Sequence, residues 1–210
     1  MTLKKEITYI LIVLLPFIYL GYIWEQLPET VPVHWDINGE ANRFGQKYEL
    51  LLIPFLLPLL TYILFLLAPI IDPKGKLSSM GNKFKHLKFL LITFMSVLAV
   101  YILYTAKHAT LTNPNNILLL IGLLYVVLGN YFKTIKANYF IGIRTPWTLE
   151  SETTWKKTHV LGGKLWLIGG LLVILFSLIL DKQLNTYLFL IITGIITIIP
   201  IGYSYFISKK

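Results

Sequence analysis

Four side chains in one polar stretch are of the types that chemistry uses: Arg144, Glu150, Glu152 and His159. A guanidinium can fork onto a carboxylate or a phosphate, and an imidazole can carry a proton near neutral pH. They lie between Asn130 and Trp166, in a stretch rich in Trp and Tyr where Arg144 stands just before Thr145, Pro146 and Trp147. Such residues on a loop point to function more strongly than the apolar residues around them. As catalytic machinery the set is thin, because an active site needs a nucleophile, a base or metal ligands that converge. We therefore assign no catalytic residue here. His159 on a helix face is more often a packing histidine than a catalyst.

A second polar group, His34, Asp36, Asn38 and Glu40, matches no complete zinc or calcium loop. No metal and no cofactor is expected. Turn residues with a hydrogen-bonded histidine are the reading of this group. Val31, Val33 and Trp35 alternate with Pro32, His34 and Asp36, which describes a short strand with one apolar face. Asn38-Gly39 is a turn signal. A small extended or hairpin-like cap is expected over residues 25–49, with His34 and Trp35 as candidates to meet something arriving from outside.

The elements that hold these loops are apolar. The chain has 210 residues, 56% of them hydrophobic and 14% charged, with no cysteine, and a mean hydropathy of +0.69. Soluble domains carry roughly 25% charge. Six apolar runs stand out: Ile7 to Trp24, Leu50 to Ile71, Phe89 to Ala106, Asn116 to Phe132, Leu165 to Leu180, and Thr186 to Ser208. A spanning helix needs about 20 such residues. The fold class is an all-α integral membrane protein with six transmembrane helices, read as one polytopic domain over residues 1–210. The first run follows Lys4 and Lys5 but precedes no small-residue cleavage site, so it reads as a retained anchor.

Fifteen of the nineteen Lys and Arg residues fall in the termini and in the second and fourth loops. By the positive-inside rule both termini are cytoplasmic, the 25–49 cap is outside, and the 133–164 loop is inside. The net charge of +9 is thus an orientation signal and a contact for anionic lipid headgroups, with no direct nucleic-acid partner. His34 and His159 fall on opposite sides and cannot share a metal. None of the six runs contains Asp, Glu, Lys, Arg or His, which argues against a proton-coupled pathway.

Within the 133–164 loop, Gly142 marks a turn and Thr145-Pro146 an extended step into a helix. A further helix is expected from about Ser151 and leads into the fifth run unbroken. Glu152 and Lys156 form an i,i+4 pair on it. Trp155, His159, Gly162 and Trp166 share one face, and Gly162 and Gly163 allow another helix to approach. Arg144 has three readings: an interfacial anchor on lipid phosphate, a structural clamp on Glu150 or Glu152, and a ligand contact.

Two motifs carry a family resemblance. One is Leu27-Pro28 with Val31-Pro32-Val33-His34-Trp35 and Gly39-Glu40. The other, longer and more specific, is Asn138-Tyr139-Phe140-Ile141-Gly142-Ile143-Arg144-Thr145-Pro146-Trp147-Thr148 with Trp155, Lys157, Thr158, His159, Gly163, Lys164 and Trp166. Together they resemble the SdpI family of bacterial membrane immunity proteins. The resemblance implies a multispanning protein of the bacterial cytoplasmic membrane that binds or neutralises a secreted peptide toxin, and no enzyme is expected. It also implies signalling through a cytoplasmic winged-helix repressor held at the membrane. On that reading Arg144, Thr145, Pro146, Trp147, Trp155, His159, His34 and Trp35 are candidates for ligand or partner binding. Asn138, Gly142, Glu150, Glu152, Gly163 and Lys164 complete the motif structurally. The alternatives are a membrane enzyme or lipid-handling protein acting at a headgroup, and a toxin exporter.

Overall fold

A computed structural model describes residues 3–36, 38–73, 75–108 and 113–209, with no side-chain description for 3–5. Ile37 of the cap and Lys74 and Lys210 of the charge pattern lie outside the described residues, as do the side chains of Lys4 and Lys5. Among the described residues, six helices are long and apolar enough to cross a membrane. They are α1 (Leu3–Ile23), α2 (Lys47–Ile71), α3 (Asn82–His108), α4 (Asn115–Phe132), α6 (Glu152–Ile179) and α7 (Lys182–Ser208), with a short α5 (Pro146–Glu150) before α6. All six expected spans are present. Most of the helices run past the apolar runs, so α3 begins at Asn82 and α6 at Glu152. The chain divides into two compact units, Met1–Leu67 with Lys85–Pro114, and Ala68–Phe84 with Asn115–Lys210.

In the first unit, β1 (Thr30–Trp35) and β2 (Ala41–Gln46) form the expected antiparallel hairpin. Asp36 closes its five-residue turn, with its carboxylate accepting the Asn38 and Glu40 amides at 2.9 Å each. Gly39 takes φ +79°, a left-handed conformation open to glycine at little cost. Val31 is fully buried beside Leu27, Leu50 and Leu103, and Val33 and Trp35 lean on that cluster, while Pro32, which the alternation puts on the other face, is buried as well. His34 points the other way and donates from Nδ1 to Asn42 Oδ1 at 2.6 Å. It is a hydrogen-bonded hairpin residue.

The second span is a composite. It starts as a 3₁₀ turn (Lys47–Leu51) and passes through a π turn (Phe55–Leu59) that contains Pro58. Proline has no N–H to donate, so the helical ladder shifts register around it.

The same unit holds an ion pair that lies just outside the apolar runs. Lys88, almost fully buried, sits 3.5 Å from Glu6. Tyr62 donates to the same carboxylate at 2.8 Å. The ammonium lies over the rings of Tyr9 and Tyr62, 4.4 and 4.5 Å from their centres. Each aromatic face attracts the cation electrostatically. Four groups thereby tie α1, α2 and α3 together. The apolar runs hold no Asp, Glu, Lys, Arg or His, but the helices extend past those runs and bury Lys88 on α3 and His159 on α6.

In the second unit, α4 and α6 pack backbone to backbone and antiparallel. A Cβ on Gly129 would lie 2.5 Å from Leu167 N, and one on Gly170 would lie 2.7 Å from Gly122 O. Without a hydrophobic drive between helices in lipid, such close approach through small residues is how they hold together. Away from the motif, Asn185 donates to Asn115 Oδ1 at 2.9 Å and to Ser177 Oγ at 3.2 Å, in a buried polar cluster.

Candidate functional site

The motif folds into a knot whose ties are local. Asn138 is buried, and its Oδ1 accepts the amides of Phe140 and Ile141 at 2.8 and 2.7 Å. Its Nδ2 donates to the carbonyls of Lys136 and Ile141 at 2.7 and 3.1 Å. One amide side chain therefore shapes the turn after α4. Gly142 follows with φ +116°, and a Cβ there would meet His159 Nε2 at 2.5 Å. Glycine is needed at that point for both conformation and space.

His159 is the centre of the knot. It is buried, its Nδ1–H donates to Trp155 O at 2.8 Å, and its Nε2 accepts the Ile143 amide at 2.9 Å. That pair of bonds requires the neutral imidazole with its proton on Nδ1. The ring stacks on Trp155 with centroids 4.0 Å apart and meets Phe132 edge-on. Trp155 is itself buried and donates from Nε1 to Ile135 O at 2.8 Å. The helical spacing does place Trp155, His159, Gly162 and Trp166 on one face. That face is turned into the protein, so Trp155 and His159 set the loop's conformation and present no exposed aromatic surface.

Thr145 caps α5, exchanging hydrogen bonds with Thr148 before Pro146 at the first helical position. The extended step into a helix is as expected. Trp147 donates to the buried Ser204 of α7 at 2.5 Å and packs on Tyr205. Ser151 caps α6, which then runs unbroken into the span. Trp166 donates to Ile196 O at 3.0 Å. Gly163 faces the backbone of Gly129, where a Cβ would come within 2.7 Å of the carbonyl oxygen.

Two expected pairings differ. The hydrogen bond of Arg144 goes from Nη1 to the carbonyl of Tyr139, and no ion pair joins it to Glu150 or Glu152 among the described residues. Glu152 instead meets Lys76, 3.0 Å away, in place of Lys156. A backbone carbonyl five residues back takes one of the guanidinium's donors within the turn itself. A lysine 76 positions upstream is invisible to a helical i,i+4 rule. Glu150 and Lys164 are exposed.

Cavities open in this unit among the described residues, and three bear on the motif. One, of about 260 Å³, is lined by Gly142 to Thr145 with Trp166, Ile196, Thr197 and Ile201. A second, of about 360 Å³, holds Lys76, Lys133, Lys136 and Lys156 around Glu152, with His159 in its wall. Arg144 and His159 thus border different cavities, and Glu150 borders neither. The third, of about 810 Å³, lies along α6 and α7. Sequence reasoning missed Gly122, Gly129 and Gly170. Their signal was the matching seven-residue intervals, Gly122 to Gly129 and Gly163 to Gly170.

Six apolar helices, a two-stranded hairpin and a knotted aromatic loop define a multi-pass membrane protein. Residues 134–204 match the SdpI/YfhL protein family. Residues 11–57 match a domain of unknown function, DUF1648. The chain is 27% identical over 99% of its length to Immunity protein SdpI of Bacillus subtilis (strain 168), covering 98% of that protein. It is also 47% identical over 38 residues to an uncharacterized protein of Archaeoglobus fulgidus, covering 18% of this chain and 21% of the other. No solved structure matches.

Proposed function

We propose that this chain is a membrane immunity protein that protects its cell against a secreted peptide toxin. The observation that carries the reading is end-to-end similarity to Immunity protein SdpI, 99% of one chain against 98% of the other. In this reading the protein acts without catalysis, in the bacterial cytoplasmic membrane, with both termini inside. The hairpin bearing His34 and Trp35 meets the toxin outside. The 134–166 knot is the inner face that answers to a cytoplasmic repressor. The enzyme alternative would draw on Arg144, Glu150 and His159 acting together, and their separation between cavities gives it no support.

The test is protection. Bacteria sensitive to the toxin that the Bacillus subtilis protein counters are made to express this chain and then challenged. Survival well above the empty-vector control is expected. Killing equal to that control, with the chain present in the membrane, would overturn the reading.

Arg144→Lys is the sharper arm. One guanidinium nitrogen is engaged by Tyr139 O, and the planar fork has further donors for an outside carboxylate or phosphate. Lysine keeps the charge and can reach one carbonyl, but it loses the fork. Most protection should be lost at near-normal protein level. Full protection by the lysine variant would reduce Arg144 to a charge at the interface.

A further inference from the structure

The groove along α6 and α7 has a polar end and an apolar wall. It is lined by Glu152, Thr153, Lys156, Lys157, Val160, Leu161, Lys164 and Tyr203. At about 810 Å³ it is within the roughly 300–1,000 Å³ of small-molecule sites. Lys156, Lys157 and Lys164 recur on one stripe of α6, with Val160 and Leu161 between them. Its one carboxylate, Glu152, is already engaged by Lys76 at 3.0 Å. Among the described residues, no ion pair uses Lys156, Lys157 or Lys164. Three exposed ammonium groups therefore stand in the groove with no opposing charge of their own.

The position along the helix says what medium they meet. The 28 residues of α6 rise about 42 Å, against about 30 Å of hydrocarbon. The apolar run starts directly after Lys164. From Lys156 to Lys164 is about 12 Å of rise, enough to cross the roughly 5–8 Å headgroup layer of one leaflet, with Lys164 at its inner edge. The apolar wall then continues toward the acyl chains. Val160 is 39% exposed, so there is apolar surface left to cover.

We propose that this groove binds an anionic phospholipid. Its phosphate lies among Lys156, Lys157 and Lys164, and its glycerol and upper chains lie on Val160, Leu161 and Tyr203. A soluble anion would use the lysines and leave the wall uncovered. A zwitterionic lipid would cover the wall but bring its own cation to three lysines. The lipid supports the α6 segment that carries Trp155 and His159, independently of any toxin.

The full chain in mild detergent is titrated with phosphatidylglycerol, phosphatidylcholine or inorganic phosphate, and bound lipid is counted by native mass spectrometry beside a thermal melt. Phosphatidylglycerol should bind more tightly than phosphatidylcholine and raise the melting temperature more. K156Q/K157Q/K164Q should erase that preference, at roughly five-fold in affinity per lysine. K133Q/K136Q, which alters the neighbouring basic cavity, should keep it. If the triple variant does not fold, K157Q and K164Q singly carry the measurement, and each should lose roughly five-fold. The proposal is overturned if those lysine variants keep the full preference. It is also overturned if both lysine sets lose it equally, or if inorganic phosphate stabilises the chain as well as the lipid does.

Discussion

His159→Ala is expected to be among the most damaging single changes in the 134–166 knot. It removes the acceptor of the partly buried Ile143 amide, and a stranded buried donor costs about 1–3 kcal/mol. It also empties the space between Trp155 and Phe132, which the ring contacts at centroid distances of 4.0 and 5.9 Å. Truncating a large core side chain costs about 2–5 kcal/mol. Together these effects reach about 3–8 kcal/mol, a large share of the roughly 5–15 kcal/mol that holds a domain folded. The melting temperature in detergent should fall by roughly 10 °C or more. His159→Gln retains a side-chain acceptor and should recover part of the loss. An alanine variant that melts like the unaltered chain would show that the imidazole is not the acceptor on which the turn depends.

His159 also shows how far the sequence could be read. Its spacing from Trp155 and Trp166 placed it on a common helical face, and the fold keeps that face. Spacing on one helix does not say whether the face meets solvent or another element. Here Phe132 and the 135–143 turn cover it. The six spans were legible because a run of apolar residues is a local property. So was the hairpin, from strict alternation and Asn38-Gly39. Thr145-Pro146 and Ser151 marked their helix starts by capping chemistry, which is also local.

What was not legible depends on distant partners. Glu6 and Lys88 flank separate apolar runs and look like ordinary interfacial charges until α1 and α3 bring them to 3.5 Å. Lys76 and Glu152 meet across 76 positions. Arg144 satisfies its hydrogen bond on a backbone carbonyl, an acceptor that every residue carries and that no sequence pattern singles out. The short polar residues Asn115, Ser177 and Asn185 found one another for the same reason. Each was unremarked alone, and each is buried with the others.

Glycines give the second large effect, and the same substitution should have opposite signs at two sites. A Cβ on Gly129 would lie 2.5 Å from Leu167 N and 2.8 Å from Gly163 O. Those obstacles are backbone, so no rotamer change relieves them. Gly129→Ala must push α4 away from α6 along their whole contact, including Gly122 against Gly170. Overpacking costs about 1–3 kcal/mol where side chains can yield, and the rigid backbone places this case at or above that upper end. Gly163→Ala faces the Gly129 carbonyl at 2.7 Å and should behave alike. The double variant should cost less than the sum, because the first change already parts the helices. Gly194→Ala on α7 meets nothing within 4 Å. It should be neutral or stabilising by up to about 1 kcal/mol, from helix propensity alone. Thermal melts of the three variants in one detergent compare them directly. Equal melting of Gly129→Ala and Gly194→Ala would mean that the helices do not touch at their backbones. If the signs separate, Phe132 at the end of α4 is placed against His159 by glycine contact further along the same two helices. The knot then depends on packing within the membrane as much as on its own hydrogen bonds.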